Sequence, residues 1–205
     1  MTQIPCNVSN FRVGRTAPIR YIVIHYDANN GATAKNNCLY FQRKAGLEAS
    51  AHYFVDDNEV VQSVSDRDTA WHCGGLRYRH PDCRNANSIG VELCSRKDAE
   101  GNYYFTPETV QRAAAFVREL MAKYSIPVDR VIRHYDVTGK VCPAPFVHNA
   151  FAWDAFKKEL EVRPMDLATA KKILKEKAGL SDATITFLSC YKYGEDLILK
   201  LAKAM

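Results

Sequence analysis

The amino-acid sequence predicts an α/β fold, in which a mixed central β-sheet is flanked by helices on both faces and a small helical segment follows at the C-terminus. Short runs rich in β-branched and aromatic residues alternate with amphipathic helical stretches over most of the chain. Hydrophobic residues make up 47% and charged residues 25% of the 205 residues, as in globular domains with a substantial core. This composition excludes a disordered or collagen-like chain.

Five stretches have the β-branched and aromatic composition that is typical of strands. They lie at residues 20–25, 51–55, 60–64, 88–94 and 128–134. The second and third are separated only by the polar residues 56–59, so we expect them to form a hairpin. Residues 72–87 are rich in Gly, Pro, Asn and Arg and are predicted to form a loop.

Three helices are predicted in the same part of the chain. They lie at about residues 33–45, 107–124 and 149–160. Thr33 is a suitable N-cap for the first helix and Gly46 a suitable end. Thr106 caps the second, and Pro107 occupies its first helical position, where proline is favoured.

Arg163 and Pro164 mark a predicted boundary between a main domain at residues 1–162 and a small helical module at 165–205. The module contains three short predicted helices, which by themselves bury little surface. It is therefore either a satellite module or a tail that docks on the main domain.

The charge and hydropathy of the sequence argue against nucleic acid and membrane as partners. The net charge of +5 is spread along the sequence, without a run of five basic residues, so no nucleic-acid partner is predicted. The apolar run at 21–24 is far shorter than the roughly 18–20 residues that cross a bilayer, and we expect no membrane association. The N-terminus has no pattern of a secretory signal, so synthesis in the cytoplasm is expected.

The seven cysteines are scattered and contain no C-x-x-C pair, which argues against a zinc ribbon or a thioredoxin-like site. Most are expected to be small buried hydrophobic residues. A disulfide between Cys73 and Cys83 is the alternative for that pair if their loop folds back on itself.

Two histidines and one cysteine stand out as candidate metal ligands. His25 and His134 lie at the ends of predicted apolar strands, where α/β sheets place their sites, and Cys142 follows in a loop rich in glycine and proline. Two imidazoles and a thiolate suit zinc and leave a fourth position for water. On the residues alone, two strand-end histidines and an unrelated buried thiol are an equally good interpretation.

Five motifs in a fixed order add to this pattern. They are YIVIHY at 21–26, SAHYFV at 50–55, AWHCG at 70–74, NSIGVE at 87–92 and RHYDVTGKVCP at 133–143. In this order and spacing the chain, over about residues 15–160, resembles the zinc-dependent N-acetylmuramoyl-L-alanine amidases. That family includes phage endolysins and peptidoglycan recognition proteins.

The resemblance implies that His25, His134 and Cys142 hold one Zn²⁺. It implies an enzyme that hydrolyses the amide between the lactyl group of N-acetylmuramic acid and L-alanine of the stem peptide in bacterial peptidoglycan. It also implies that Lys140 faces the reacting centre, where its ammonium would donate to a developing oxyanion. A solvated loop lysine is the alternative for Lys140.

One departure from the family concerns the general base. In phage lysozyme-type members a catalytic tyrosine precedes the histidine that corresponds to His52, whereas this chain has Ala51 there. In endolysin-type members the role is taken by a glutamate that corresponds to Glu92. On the strand at 88–94, Glu92 would lie on the face opposite to the apolar side chains, and a partly buried glutamate near a zinc-bound water is a suitable general base. A structural pair between Glu92 and an arginine is the alternative.

Three further residues receive weaker predictions. His72 would border the substrate groove, whereas His52 is interpreted as a core histidine bonded to the backbone. Asp136 would orient an imidazole ligand, a role that backbone carbonyls fill equally well.

Two other functions stay open at this point. One is a module that binds peptidoglycan without cutting it, although such relatives typically lack the cysteine ligand. The other is a cysteine hydrolase that uses Cys142 with His134. The resemblance, together with the missing leader, favours a phage or prophage endolysin that acts on the cell wall after release through a holin or by lysis. The helical module at 165–205 would then bind the wall or mediate self-association.

Overall fold

The computed structural model describes residues 1–161 and 166–205. The chain divides into two units, the first being Met1–Glu161 and the second running on to Met205. The predicted boundary at residues 163–164 lies outside the described residues. Among the described residues, no helix is both long and apolar enough to cross a membrane.

A mixed β-sheet forms the centre of the first unit. Its seven strands are β1 (Thr2–Gln3), β3 (Tyr21–Asn30), β4 (Tyr53–Val55), β5 (Val60–Gln62), β7 (Ser88–Lys97), β8 (Tyr103–Tyr104) and β9 (Val131–Arg133). Six of them follow the order β1-β5-β4-β7-β3-β9, and β8 pairs with the end of β7. The neighbours β4, β7, β3 and β9 are parallel, whereas β4 and β5 form the predicted antiparallel hairpin. β2 (Phe11–Arg12) and β6 (Thr69–Ala70) form a separate small sheet.

Five helices are described in the first unit: α1 (Ala34–Arg43), α2 (Pro107–Tyr124), α3 (His134–Thr138), α4 (Ala144–His148) and α5 (Ala150–Glu161). The alternating side chains of the strands decide which face each helix covers. Ile89, Val91 and Leu93 of β7 pack in one core cluster with α2 and α5. Phe54 of β4 and Cys94 of β7 pack with α1 in another cluster, on the opposite face. The predicted sheet with helices on both faces is therefore confirmed.

The predicted helix caps are confirmed by their hydrogen bonds. The Thr33 hydroxyl accepts a hydrogen bond from the Asn36 amide at 3.1 Å, and α1 begins at the next residue. The Thr106 hydroxyl accepts one from the Thr109 amide at 3.2 Å, with Pro107 at the first helical position. Each side chain satisfies a backbone donor that the helix itself leaves unpaired.

The strand predicted at 128–134 is wrong in its outer parts. Val128–Arg130 forms a 3-10 turn, the strand is only Val131–Arg133, and His134 opens α3. The Asp136 carboxylate accepts a hydrogen bond from the Arg133 amide at 2.8 Å, which caps α3 at that point. This cap explains why the strand ends at Arg133 and a helix begins at His134.

The second unit contains α6 (Leu167–Ala178), α7 (Asp182–Ser189) and α8 (Gly194–Lys203). They pack around a small cluster of their own, formed by Ala170, Leu174, Ile185, Ile198 and Ala202. Gly179 ends α6 with a positive φ of 66°, as expected for a glycine cap. The role of this module stays a prediction.

Candidate metal centre

The register of the strands brings the predicted ligand His25 and the predicted general base Glu92 together. His25 of β3 lies directly opposite Glu92 of β7, and Phe54 of β4 lies opposite Glu92 on its other side. Paired residues on neighbouring strands face the same side of a sheet. The imidazole and the carboxylate therefore lie side by side on the face that carries α1.

The other two predicted ligands come from the segment that follows β9, a strand paired with β3. His134 is the first residue of α3, and Gly139, with a φ of 88°, ends this helix and turns the chain back. The Tyr135 amide donates to the Cys142 carbonyl at 2.8 Å and closes the returning loop. His134 and Cys142 are thus held on the same side as His25.

The three predicted ligands converge. One ligand atom from each of His25, His134 and Cys142 lies within 4.8 Å of the others, and all three side chains are buried. Cys142 Sγ is 3.6 Å from His25 Nδ1, and the two imidazole rings are 4.8 Å apart between centroids. Two nitrogens and one sulfur at one point form a donor set that zinc accepts readily.

An unpaired buried imidazole indicates that a cation fits here. Neither ring nitrogen of His134 has a hydrogen-bond partner among the described residues, although the residue is only 3% exposed. A buried polar atom without a partner is costly, and a metal ion coordinated by that nitrogen would remove the cost. The geometry and the donor set therefore both suit a metal ion.

Burial dominates the electrostatics of the ligands. It lowers the pKa of His134 to about 4 and that of His25 well below its ordinary value, so both imidazoles are neutral at pH 7. Burial also raises the pKa of the Cys142 thiol to about 12 in the metal-free protein. Metal binding would therefore displace the thiol proton.

Glu92 and Lys140 border the ligands. Glu92 Oε1 is 4.0 Å from His25 Nδ1, and Oε2 is buried without a hydrogen-bond partner among the described residues. Burial, together with the negative charge of Asp27, raises the pKa of Glu92 well above its ordinary value, and the Lys140 ammonium acts in the opposite direction. In the described part of the chain, no arginine pairs with Glu92 within 4.0 Å, which removes the structural alternative.

A cavity of about 280 Å³ contains this cluster. It is lined by the three predicted ligands with Glu92 and Lys140, and Trp71 and His72 also contribute to its wall. His72 is buried, and protein groups already engage both of its ring nitrogens. Its predicted contact with substrate stays a prediction.

Two other sequence interpretations have structural outcomes. His52 is buried, and its Nδ1 accepts a hydrogen bond from the Gly90 amide at 3.0 Å, as predicted for a core histidine. The Asp136 carboxylate bonds to the Arg133 guanidinium at 2.8 Å and to its amide, so it does not orient His134.

The cysteines other than Cys142 follow the structural interpretation. Five of these six are buried, Cys190 is exposed, and all are free thiols. Cys73 and Cys83 lie in one small buried cluster without a disulfide. The predicted alternative of a bridge between them is therefore not realised.

A second cavity, of about 650 Å³, is not indicated by any sequence motif described above. It adjoins the first through Tyr26, which lines both cavities. Aromatic side chains from separate parts of the chain line it: Tyr26, Tyr103, Tyr104, Phe105 and Phe146. The only signal in the sequence was the aromatic run at 103–105, which is ambiguous because such runs are also typical of strands.

Comparisons with known proteins agree with the fold and the motifs. The family model described as N-acetylmuramoyl-L-alanine amidase (Amidase_2) matches residues 15–145. The chain is 35% identical over 159 residues to the N-acetylmuramoyl-L-alanine amidase CwlL of Bacillus licheniformis, covering 72% of this chain and 42% of that protein. It is 35% identical over 166 residues to the amidase BlyA of Bacillus subtilis strain 168, covering 75% of this chain and 44% of BlyA. The chain thus spans less than half the length of these two relatives.

Solved structures give the same result. The structure of PlyL superimposes with a TM-score of 0.64 at 27% identity, covering 78% of this chain and 96% of PlyL. The catalytic domain of XlyA also gives a TM-score of 0.64, at 28% identity, covering 78% of this chain and 97% of that domain. Since the family model covers more than half of the chain and includes all three converging side chains, the protein belongs to the N-acetylmuramoyl-L-alanine amidase family.

Proposed function

We propose that the protein hydrolyses the amide between the lactyl group of N-acetylmuramic acid and L-alanine of the peptidoglycan stem peptide, with one zinc ion held by His25, His134 and Cys142. The convergence of two buried imidazoles and a buried thiol beside a partly buried carboxylate carries this proposal. The names of the relatives, which are N-acetylmuramoyl-L-alanine amidases, support the reaction.

His25, His134 and Cys142 would hold the metal ion in the wall of the cavity that Glu92 and Lys140 also line. When bound, zinc supplies polarisation of the scissile carbonyl and a water of lowered pKa. The neutral state of both imidazoles keeps a lone pair available on each ring. The hydrogen bond from the Tyr135 amide to the Cys142 carbonyl ties the start of α3 to the returning loop, which limits the movement of His134 and Cys142 relative to each other.

Glu92 is the proton carrier in this proposal. Its carboxylate takes a proton from the attacking water as the water oxygen bonds to the carbonyl carbon. It then delivers this proton to the leaving nitrogen as the carbon–nitrogen bond breaks, which yields a lactyl carboxylate and a free L-alanine amino group. The unpartnered Oε2 and the raised pKa of Glu92 suit a group that must accept and release a proton.

Lys140 would donate to the oxyanion, so replacing Lys140 with alanine should lower turnover by about 10²–10³-fold. Its exposed side chain lines the cavity without serving as a ligand, so zinc should stay bound. The measurement is the hydrolysis rate together with zinc per chain by mass spectrometry. Lys158→Ala, an exposed lysine on α5, is the matched control. Near wild-type turnover of Lys140→Ala would remove Lys140 from the mechanism.

The proposed bond can be tested by product analysis on purified peptidoglycan. We expect new free amino groups that belong to L-alanine and no new reducing sugars. New reducing ends would indicate a glycosidase, and free amino groups of another residue an endopeptidase. Binding without any cleavage would indicate a recognition module instead of an enzyme.

Peptidoglycan is the partner that this reaction requires, and the bacterial cell wall is therefore the proposed place of action. Release through a holin or by lysis is the proposed route to the wall. For the module formed by α6–α8, wall binding and self-association stay the two proposals. The size of the full chain in solution, with and without wall fragments, distinguishes them.

A further inference from the structure

A chain of three hydrogen bonds runs from a backbone carbonyl to the candidate ligand His25. The Ser88 hydroxyl donates to the Arg84 carbonyl at 2.7 Å. Ser88 Oγ lies 3.1 Å from His72 Nε2, and His72 Nδ1 lies 3.0 Å from His25 Nε2. None of these groups except His25 belongs to the proposed ligand set.

The carbonyl at one end sets the direction of every bond in this chain. A carbonyl only accepts, so the single hydroxyl hydrogen of Ser88 points at Arg84 and its oxygen must accept from His72. His72 Nε2 therefore carries a hydrogen, and in a neutral ring its Nδ1 is an acceptor. His25 Nε2 must then carry the hydrogen, which leaves the lone pair of His25 Nδ1 free on the side of Cys142.

We propose that His72 is a positioning residue that fixes His25 in the tautomer with a bare Nδ1 and holds its ring toward the metal position. The proposal rests on the zinc site proposed above, but not on peptidoglycan as the substrate. It gives His72 a role through His25 that does not require contact with substrate. Groups that bond to the far nitrogen of a ligand histidine commonly fix its tautomer and orientation in metal sites.

The packing around His72 supports a fixed ring. Gly90 of β7 leaves the space that the ring fills, since a Cβ at that position would lie 2.6 Å from His72 Cγ and 2.8 Å from Nδ1. The Asn85 side chain accepts a hydrogen bond from the His72 amide at 3.1 Å. The His72 ring also meets the His25 and His52 rings edge-on, at centroid distances of 5.1 and 5.6 Å.

The tautomer can be measured directly in the metal-free full chain by long-range ¹H–¹⁵N NMR of the imidazole rings. We expect His25 to carry its hydrogen on Nε2 in the wild type, and to show a mixture of tautomers in His72→Ala. A wild-type spectrum with the hydrogen on Nδ1 would overturn the proposal. So would a His72→Ala spectrum that matches the wild type.

Zinc affinity, measured by competition with a chromophoric chelator, provides a second readout that does not depend on catalysis. His72→Ala should weaken zinc binding by about 10–100-fold. In His72→Asn, Oδ1 lies as many bonds from Cα as His72 Nδ1 and can accept from His25, so most of the affinity should return. Unchanged affinity in His72→Ala, or equal losses in both variants, would contradict the positioning role.

Ser88→Ala removes the hydroxyl that links His72 to the Arg84 carbonyl but leaves the His72 ring in place. We expect it to produce mixed tautomers at His25 and a smaller loss of zinc affinity than His72→Ala. If His72→Ala fails to fold, Ser88→Ala still tests the positioning role of His72. Wild-type tautomers and wild-type zinc affinity in Ser88→Ala would contradict the proposed series of hydrogen bonds. If the wild-type protein binds no zinc, the proposed function fails, whereas the tautomer measurement still tests the role of His72.

Discussion

Replacing Glu92 with glutamine is expected to lower the rate of peptidoglycan hydrolysis by about 10²–10⁴-fold while the zinc content stays near that of the wild type. Glutamine has nearly the same shape as glutamate, so it fits between His25 and Phe54 on the sheet. It cannot accept and release a proton at pH 7. The measurement is the initial rate on purified peptidoglycan, with zinc per chain determined on the same samples.

The same substitution should raise the stability of the metal-free protein at pH 7. Because burial raises the pKa of Glu92 in the folded metal-free protein, its charged form opposes folding. This unfavourable contribution to folding is absent below the ordinary carboxyl pKa, near 4.3, and grows as the pH rises above it. The thermal midpoint of metal-free Glu92→Gln should therefore exceed that of the wild type at pH 7 and approach it at pH 4.

The matched control is Glu100→Gln, which changes an exposed glutamate after β7. It should leave rate, zinc content and thermal midpoint unchanged. If Glu92→Gln hydrolyses peptidoglycan at the wild-type rate, Glu92 is not the proton carrier. A strong loss of stability in this variant would instead assign the carboxylate a structural role.

The sequence predicted much of the fold because its longest elements carry strong local patterns. The helix at Pro107–Tyr124 has a threonine cap, a proline at its first position and a continuous amphipathic face, so its bounds were predictable. The alternation on β7 likewise separated the core residues Ile89, Val91 and Leu93 from Glu92. Local chemistry determines such elements, and tertiary packing does not override it.

The arrangement of the site was less accessible from the residues alone. His25 and Glu92 become neighbours through the register of β3 and β7, which are far apart in the sequence. The motifs and their resemblance to a family supplied these candidates. The residues around them gave no sign of the bond from His25 to His72, because its direction depends on the Ser88 hydroxyl and the Arg84 carbonyl, which are distant from His25 in the sequence. Side chains that act through other side chains leave little pattern in a sequence.

Removing the metal, or removing Cys142, should abolish hydrolysis. Chelated wild-type protein is expected to lose its activity and to regain it when zinc is added. Cys142→Ala should bind little zinc and show no more activity than the chelated wild type, because one of three protein ligands is lost. Cys190→Ala, which removes the exposed thiol, is the control and should behave as the wild type.

These measurements also decide between a zinc ligand and a cysteine nucleophile. Neither ring nitrogen of His134 has a hydrogen-bond partner among the described residues, so the predicted pair of Cys142 with His134 is not formed. The 3.6 Å distance between Cys142 Sγ and His25 Nδ1 nevertheless suits a thiol–imidazole pair as well as two ligands of one metal. A buried thiol with a pKa raised to about 12 is a weak nucleophile in the metal-free protein, whereas a cation beside it favours the thiolate. A cysteine hydrolase would keep its activity under chelation, so full activity of the chelated wild type would overturn the zinc mechanism.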